Sequence, residues 1–343
     1  MPALPSLRSL GKQLGLSAAT VSLALRGDPR VIPVTKKRVL QAARRAGYRQ
    51  NPLIHSVMSA MRRSAHGSYH GALLAINHSD SERPTLIPYH AELLAGAKSR
   101  AKELGYSMEH CWIGPKTLSL PRLNTIIRAR NVQGVVVMPF AGVLDFSELD
   151  WSGLAAVVMD YCLSRPSLHT VLPDHHLSIF NAMEQLSAAG YRRPGLVLEG
   201  ARDARLKYKW SAGFTSAFRE RQIDPPVPLL VNERISRANF VRWFKLHRPD
   251  VILGHMQRDI IGWLGEIGVH VPRDAGFLQL NWTERTSLCA GIDQQPALLG
   301  AAAVEAVVAQ HNRYERGPPE NPKTITIGGR WTTGPTLRIP FRC

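Results

Sequence analysis

The sequence predicts two parts: an N-terminal all-α helix-turn-helix headpiece, and behind it an α/β domain of two lobes built on parallel sheets. Three observations lead there. Two short helices with apolar stripes meet at a glycine corner within the first 25 residues, strand and helix signals alternate from residue 72 onward, and basic residues crowd into one end of the chain. A chain of 343 residues with 44% hydrophobic content is long enough for two or three domains and ordinary for a globular protein.

The headpiece is organised around residues 17–25, Ser-Ala-Ala-Thr-Val-Ser-Leu-Ala-Leu. Ser17 is placed to cap a short helix, directly after a helix over 7–14 and the corner Gly15-Leu16. Leu7, Leu10 and Leu14 on one helix and Val21, Ala24 and Leu25 on the other recur at three- and four-residue spacings, so each helix has one stripe to bury. Ala18, Ala19, Ser22 and Leu23 are left on the free face. In a helix-turn-helix the second helix enters the DNA major groove with its N-terminal residues at the base edges. An ordinary helical hairpin has the same local pattern, so the residues beyond the pair decide between them. Residues 27–33 read as a loop, and 34–46 as a third helix stopped by Gly47, where a left-handed cap favours glycine.

Charge points the same way. The formal net charge is +17, and residues 1–64 carry twelve Lys and Arg against the single acid Asp28. A surface that basic attracts a polyanion, and phosphate contacts supply a large, salt-sensitive share of DNA affinity.

From residue 72 the pattern changes. Strands are expected at 72–77, 106–112, 134–139, 155–159, 195–198, 228–231, 251–253 and 275–280, and helices at 88–104, 120–129, 177–189, 208–221, 237–246, 259–267 and 295–311. That alternation means parallel sheets covered by helices on both faces, in two consecutive sets. An irregular Gly- and Pro-rich tail is expected over 317–334. Between the two parts, 62–71 reads as a polar loop; His66 and His70 are four apart, but Gly67 and Ser68 argue against the helix that a metal pair would need.

The order Ala19-Thr20-Val21-Ser22, Val31, Thr35, Arg38-Val39-Leu40, Ala42-Ala43, Gly47-Tyr48 and Asn51-Pro52 closely resembles the headpiece and hinge of the LacI-type (LacI/GalR) bacterial transcriptional regulator family. Behind it, Gly268-Val269-His270-Val271-Pro272 and Asp293-Gln294-Gln295-Pro296 with Leu299-Gly300 resemble that family's periplasmic-binding-protein-like effector domain. The resemblance implies a headpiece over 1–50, a hinge helix and linker over 51–71, and an effector-binding and dimerisation domain over 72–343. It also implies a homodimeric, allosteric repressor that binds double-stranded operator DNA and a small-molecule effector related to sugars. On the helix-turn-helix it assigns DNA contacts to Ser6, Leu7, Ser17, Ala18, Ala19 and Thr20. Ser22, Leu23, Arg30 and Thr35 continue the set. In the hinge it adds Asn51, with Val57 or Met58 as the minor-groove wedge. Leu23 stands where family members commonly have a base-reading arginine, so direct readout is expected to shift toward thymine methyl contacts.

In the effector half the chain departs from the pattern. Trp210 stands where sugar-binding members place an arginine, and Gly254-His255-Met256 stands where an Asn-Asp pair is expected. Asp160, Trp210 and Gln294 are the expected effector contacts, in a pocket of changed chemistry. An effector-blind DNA-binding protein and a solute-binding protein of the same fold are the competing readings.

Several classes are excluded by what the sequence lacks. No apolar run reaches the ~20 residues of a membrane span, and the first thirty residues lack signal-peptide order, so a cytoplasmic, nucleoid-associated protein is expected. Cys111, Cys162, Cys289 and Cys343 form no CxxC pair, so neither structural zinc nor any other metal or cofactor is expected. No nucleophile elbow, phosphate loop or HExxH is present. Asp174, His175 and His176, as sequence neighbours, cannot aim at one point, so no catalytic residue is assigned.

Overall fold

The computed structural model describes residues 7–25, 28–46, 71–221, 226–283 and 288–338. Helices α1 (Leu7–Leu14), α2 (Ala18–Leu25) and α3 (Pro33–Arg45) enclose a core of Leu10, Val21, Ala24, Val31, Val39, Ala42 and Ala43. Gly15 turns the corner at a φ of 68°, a left-handed conformation that glycine adopts without strain. Ser17 caps α2 as expected: its Oγ accepts from the Thr20 amide at 3.0 Å. Leu23, expected on the free face, is half-buried: part of its side chain packs against the headpiece core and part stays accessible.

The main strands of the first lobe are β1 (Gly71–His78), β2 (Tyr106–Ile113), β3 (Val132–Val137), β5 (Ala155–Met159), β7 (His169–Asp174) and β13 (Thr324–Gly328). They form a six-stranded, all-parallel sheet in the order β13-β7-β5-β3-β1-β2. Two short strands, β4 (Leu144–Asp145) and β6 (Leu163–Arg165), pair beside it. Val135, Val136 and Val137 are fully buried, as a strand covered on both faces requires. Helix α5 (Leu120–Ala129) covers one face, and α4 (Pro88–Glu103) with α11 (Pro296–Arg313) the other. Helices α4 and α11 approach unusually closely: a Cβ on Gly300 would lie 2.8 Å from the Ala97 nitrogen and would also meet the Leu93 carbonyl oxygen.

The second lobe contains β8 (Pro194–Glu199), β9 (Leu230–Asn232), β10 (Val251–Gly254), β11 (Gly276–Trp282), β12 (Ala290–Asp293) and β14 (Arg330–Thr332). Their order is β14-β12-β11-β10-β8-β9, parallel except for β14. Helices α6 (His175–Ala188) and α8 (Lys209–Arg221) pack on one face, α9 (Arg237–His247) and α10 (Gln257–Glu266) on the other. A six-residue helix, α7 (Gly200–Arg205), comes directly after β8.

The tail expected to be irregular instead supplies β13 and β14, one edge strand to each sheet. The chain therefore crosses between lobes three times: after Asp174, near Gln294 and Gln295, and at Gly329. The crossings are tied together. Ser178 Oγ accepts from the Gly329 amide at 2.8 Å, Gln295 Nε2 donates to the Gly328 carbonyl at 2.8 Å, and Arg330 reaches Asp293 at 2.8 Å. Among the described residues no helix is long and apolar enough to cross a membrane.

Candidate ligand cleft and nucleic-acid face

A cavity of about 340 Å³ opens between the lobes, outside the carboxyl ends of the strands. The first lobe contributes Asp160 from the end of β5, and Tyr89 and His90 from the start of α4. The second lobe contributes Arg202 and Arg205 from α7, Trp210 from the start of α8, His255 from the end of β10 and Asn281 from β11. His175 enters at the first crossing, where Asp174 caps α6 by accepting from the Leu177 amide at 3.0 Å.

Asp160 has a φ of 65°, which aspartate tolerates better than most residues because its carboxylate bonds locally, here accepting from the Tyr161 amide at 2.8 Å. Its other oxygen pairs with Arg205, so one ion pair bridges the two lobes across the cleft. Opposite, Trp210 is 1% exposed and stands between two imidazoles, its rings 4.5 Å from His175 and 5.8 Å from His255. Trp210 Nε1, His175 Nδ1 and both ring nitrogens of His255 are buried without a hydrogen-bond partner. Each such group costs about 1–3 kcal/mol when left unmade, so this cluster of four behind the cleft is held at a cost in stability.

The three histidines are neutral. Burial pushes His90 and His175 down to about 4, and burial together with the charge of Arg202 pushes His255 down to about 3. A neutral imidazole offers one donor and one acceptor, whereas the indole offers a donor alone.

Of the effector contacts expected from sequence, Asp160 and Trp210 line the cleft and Gln294 does not. Gln294 sits at the second crossing, 1% exposed, and its amide donates to the Leu280 carbonyl at 2.7 Å, so it holds the sheet rather than the cavity. The missing arginine is also corrected. A guanidinium does reach the cleft, but from Arg205 on α7, five residues before Trp210. His255, noted only as a departure, occupies the cleft itself. His176 turns away and stacks on Phe180, so Asp174, His175 and His176 do not converge.

In the headpiece, Ser17 Oγ lies 2.8 Å from Thr20 Oγ1 at the start of α2, and Thr35 is half-exposed near the start of α3. Leu7, Ala18, Ala19 and Ser22 stand on α1 and α2. Lys12, Lys37, Arg38, Arg44 and Arg45 are exposed. Arg30 is held in place: its Nε and Nη2 donate to the buried Asp28 carboxylate at 3.0 and 2.7 Å, which with the Arg30 amide hold Asp28 down at about 2. Ser6, Asn51, Val57 and Met58 lie outside the described residues.

Residues 183–337 match the family described as a periplasmic binding protein-like domain. The chain is 26% identical over 253 residues to the HTH-type transcriptional regulator AscG of Escherichia coli (strain K12), covering 68% of this chain and 67% of AscG. Over 46 residues it is 52% identical to the HTH-type transcriptional regulator AglR of Rhizobium meliloti (strain 1021), 13% of each chain. The structure of the transcriptional regulator CelR in complex with cellobiose superposes along 97% of this chain and 99% of that one, with a TM-score of 0.60 at 15% identity.

The chain is thus similar in sequence to HTH-type transcriptional regulators, and its two lobes have a periplasmic binding protein-like fold. Two of the residues in its cleft, Trp210 and His255, stand at positions where the sequence departs from the pattern expected of sugar-binding members, and Arg205 lies beside them.

Proposed function

We propose that this chain is a LacI-type regulator that binds operator DNA through residues 1–50, as a homodimer in the cytoplasm, and that a small sugar-related molecule in the interlobe cleft controls that binding. The observation that carries the reading is the pairing of a capped, basic helix-turn-helix with a cleft whose buried donors and acceptors lack partners. Ser17, Thr20 and Ser22 set the register on phosphates, Ala18, Ala19 and Leu23 meet base edges, and Arg30 and Thr35 add backbone contacts. Ser6 and Leu7 precede them, and Asn51, Val57 and Met58 carry the hinge. Two-fold symmetry calls for a near-palindromic operator.

Control works by population shift. A ligand that prefers one arrangement of the lobes acts on the tied crossings at Ser178, Gln295 and Arg330, and so on the chain that leads to the headpiece. The effector-blind alternative is disfavoured by the four unpartnered atoms in the cleft wall, and an exported solute-binding protein by the headpiece. No catalytic step is assigned. Mobility-shift titrations of the full chain on sequences selected from a random pool, with and without a panel of sugars and sugar derivatives, test the proposal. Selective binding that changes on ligand addition supports it; binding without sequence preference overturns it.

A further inference from the structure

This inference rests on the reading of the cleft as a ligand site, and it concerns the charge of the ligand. Arg202 and Arg205 are three residues apart on α7, so their side chains leave one face of the helix, and both line the cleft. Arg205 donates one N–H to Asp160, and Arg202 donates its Nε to Glu199 at 3.1 Å. A guanidinium carries five N–H groups, so most of their donor capacity remains. Trp210 Nε1 adds a donor that is buried and unpartnered.

Charged acceptors are scarce by comparison, the neutral ones being imidazole nitrogens, the Tyr89 hydroxyl and the Asn281 amide. Asp160 is the one carboxylate among the described lining residues, and both its oxygens are engaged, by Arg205 and by the Tyr161 amide. A neutral sugar hydroxyl donates as readily as it accepts, so a site made for neutral sugars needs free acceptors to receive those protons. Here two guanidiniums face the cavity against one carboxylate, and the charges that act on the ring of His255 are those of Arg202 and Arg205. That end of the cleft is electropositive.

We infer that the cleft takes an anionic ligand, a small polyhydroxylated body bearing a carboxylate or a phosphate, with its oxyanion on Arg202 and Arg205 and its ring against Trp210, His175 and His255. The guanidinium fork matches an oxyanion with two parallel hydrogen bonds. The neutral imidazoles and the indole accommodate the hydroxyls and ring face without adding charge. Arg205 then serves two carboxylates at once, that of Asp160 from the first lobe and the ligand's own.

The test is calorimetric titration of the full chain with matched sets: D-glucose and D-galactose, their uronic and aldonic acids, and their monophosphates, with inorganic phosphate as a reference. At least one acid or phosphate is expected to bind about tenfold or more tighter than its neutral parent, the gain of a charge-assisted bidentate contact. The Arg202 side chain is half-exposed, and Arg202→Gln leaves the Asp160–Arg205 pair intact; the variant is expected to remove most of that preference for the anion over its neutral parent. Preference for acids over phosphates, or the reverse, identifies which oxyanion is used, and either supports the inference. Neutral parents binding as tightly as their anions, no anion binding in the millimolar range, or a preference untouched by Arg202→Gln and by Arg205→Gln overturns it. If a neutral sugar binds as tightly as its anions and alters DNA affinity, the regulator reading stands and this inference falls. If an anion binds but no DNA does, the reverse holds.

Discussion

Replacing Trp210 by phenylalanine separates the stability of the cleft wall from its affinity. The indole is 1% exposed and packed in the second lobe's core, yet its Nε1–H has no partner. Phenylalanine removes that donor, which relieves about 1–3 kcal/mol of unmade hydrogen bond. It also loses about two methylene-sized groups of buried ring, or roughly 1.6 kcal/mol at ~0.8 each. The two effects oppose each other, so Trp210→Phe is expected to unfold within about 1 kcal/mol of the parent, whereas Trp210→Ala loses the whole ring and about 3–5 kcal/mol. Ligand affinity should move differently: the missing donor weakens binding by about 0.5–1.5 kcal/mol, or roughly 2- to 12-fold. Urea unfolding of the three proteins and calorimetric titration with whichever sugar derivative binds the parent supply both numbers. A Trp210→Phe protein as unstable as Trp210→Ala, or one with undiminished affinity, would refute the reasoning that the free indole N–H is held for the ligand.

Packing, burial and charge elsewhere in the chain carry three more expectations. Gly300→Ala forces a methyl into the backbone of α4 at Leu93 and Ala97, where nothing can give by side-chain rotation; a loss of about 1–3 kcal/mol or more is expected in thermal unfolding, and an unchanged midpoint would contradict the close approach of α4 and α11. For pH, His175 is held down at about 4 in the fold against 6.5 when unfolded, so below pH 6.5 the unfolded chain binds the extra proton. Stability is thus full above that value and falls toward pH 4, by about 1.4 kcal/mol per pH unit for His175, with His90 and His255 acting in the same direction; a stability that stays flat down to pH 5 would contradict their burial. Asp28→Asn weakens the clamp on the exposed Arg30 and is expected to lower operator affinity while the headpiece stays folded; equal affinity would remove Arg30 from the interface.

Much of the architecture was legible because it rests on periodicity. The apolar runs of β1, β3 and β5 and the striped helices α1, α5 and α9 fall within a few residues of where spacing puts them. What escaped has physical reasons. The run Thr324–Gly328 alternates, but it sits among glycines and prolines and is mostly exposed, so no burial pattern separates it from a loop. Strand β7 runs straight into the helix that begins at His175, with no turn residue between to mark it. Helix α7 has only six residues, too short for a stripe, and it is the element that brings Arg202 and Arg205 to the cleft. The cleft was half legible for the same reason: Asp160 and Trp210 end or begin long elements, while Arg205 depends on the short one. Gln294 was misplaced because a crossing segment fixes its side chains by which strand they can bond, and sequence position does not reveal that.

The most direct test of the central claim is to measure affinity of the full chain for a random-pool-selected DNA site before and after a ligand occupies the cleft, with occupancy established by calorimetry. The account predicts an enriched near-palindrome whose affinity changes by about fivefold or more on ligand binding, the range of ordinary coupling free energies, and loses that response when Arg205 and Trp210 are replaced. Identical affinity for the selected site with the cleft empty and filled would contradict it.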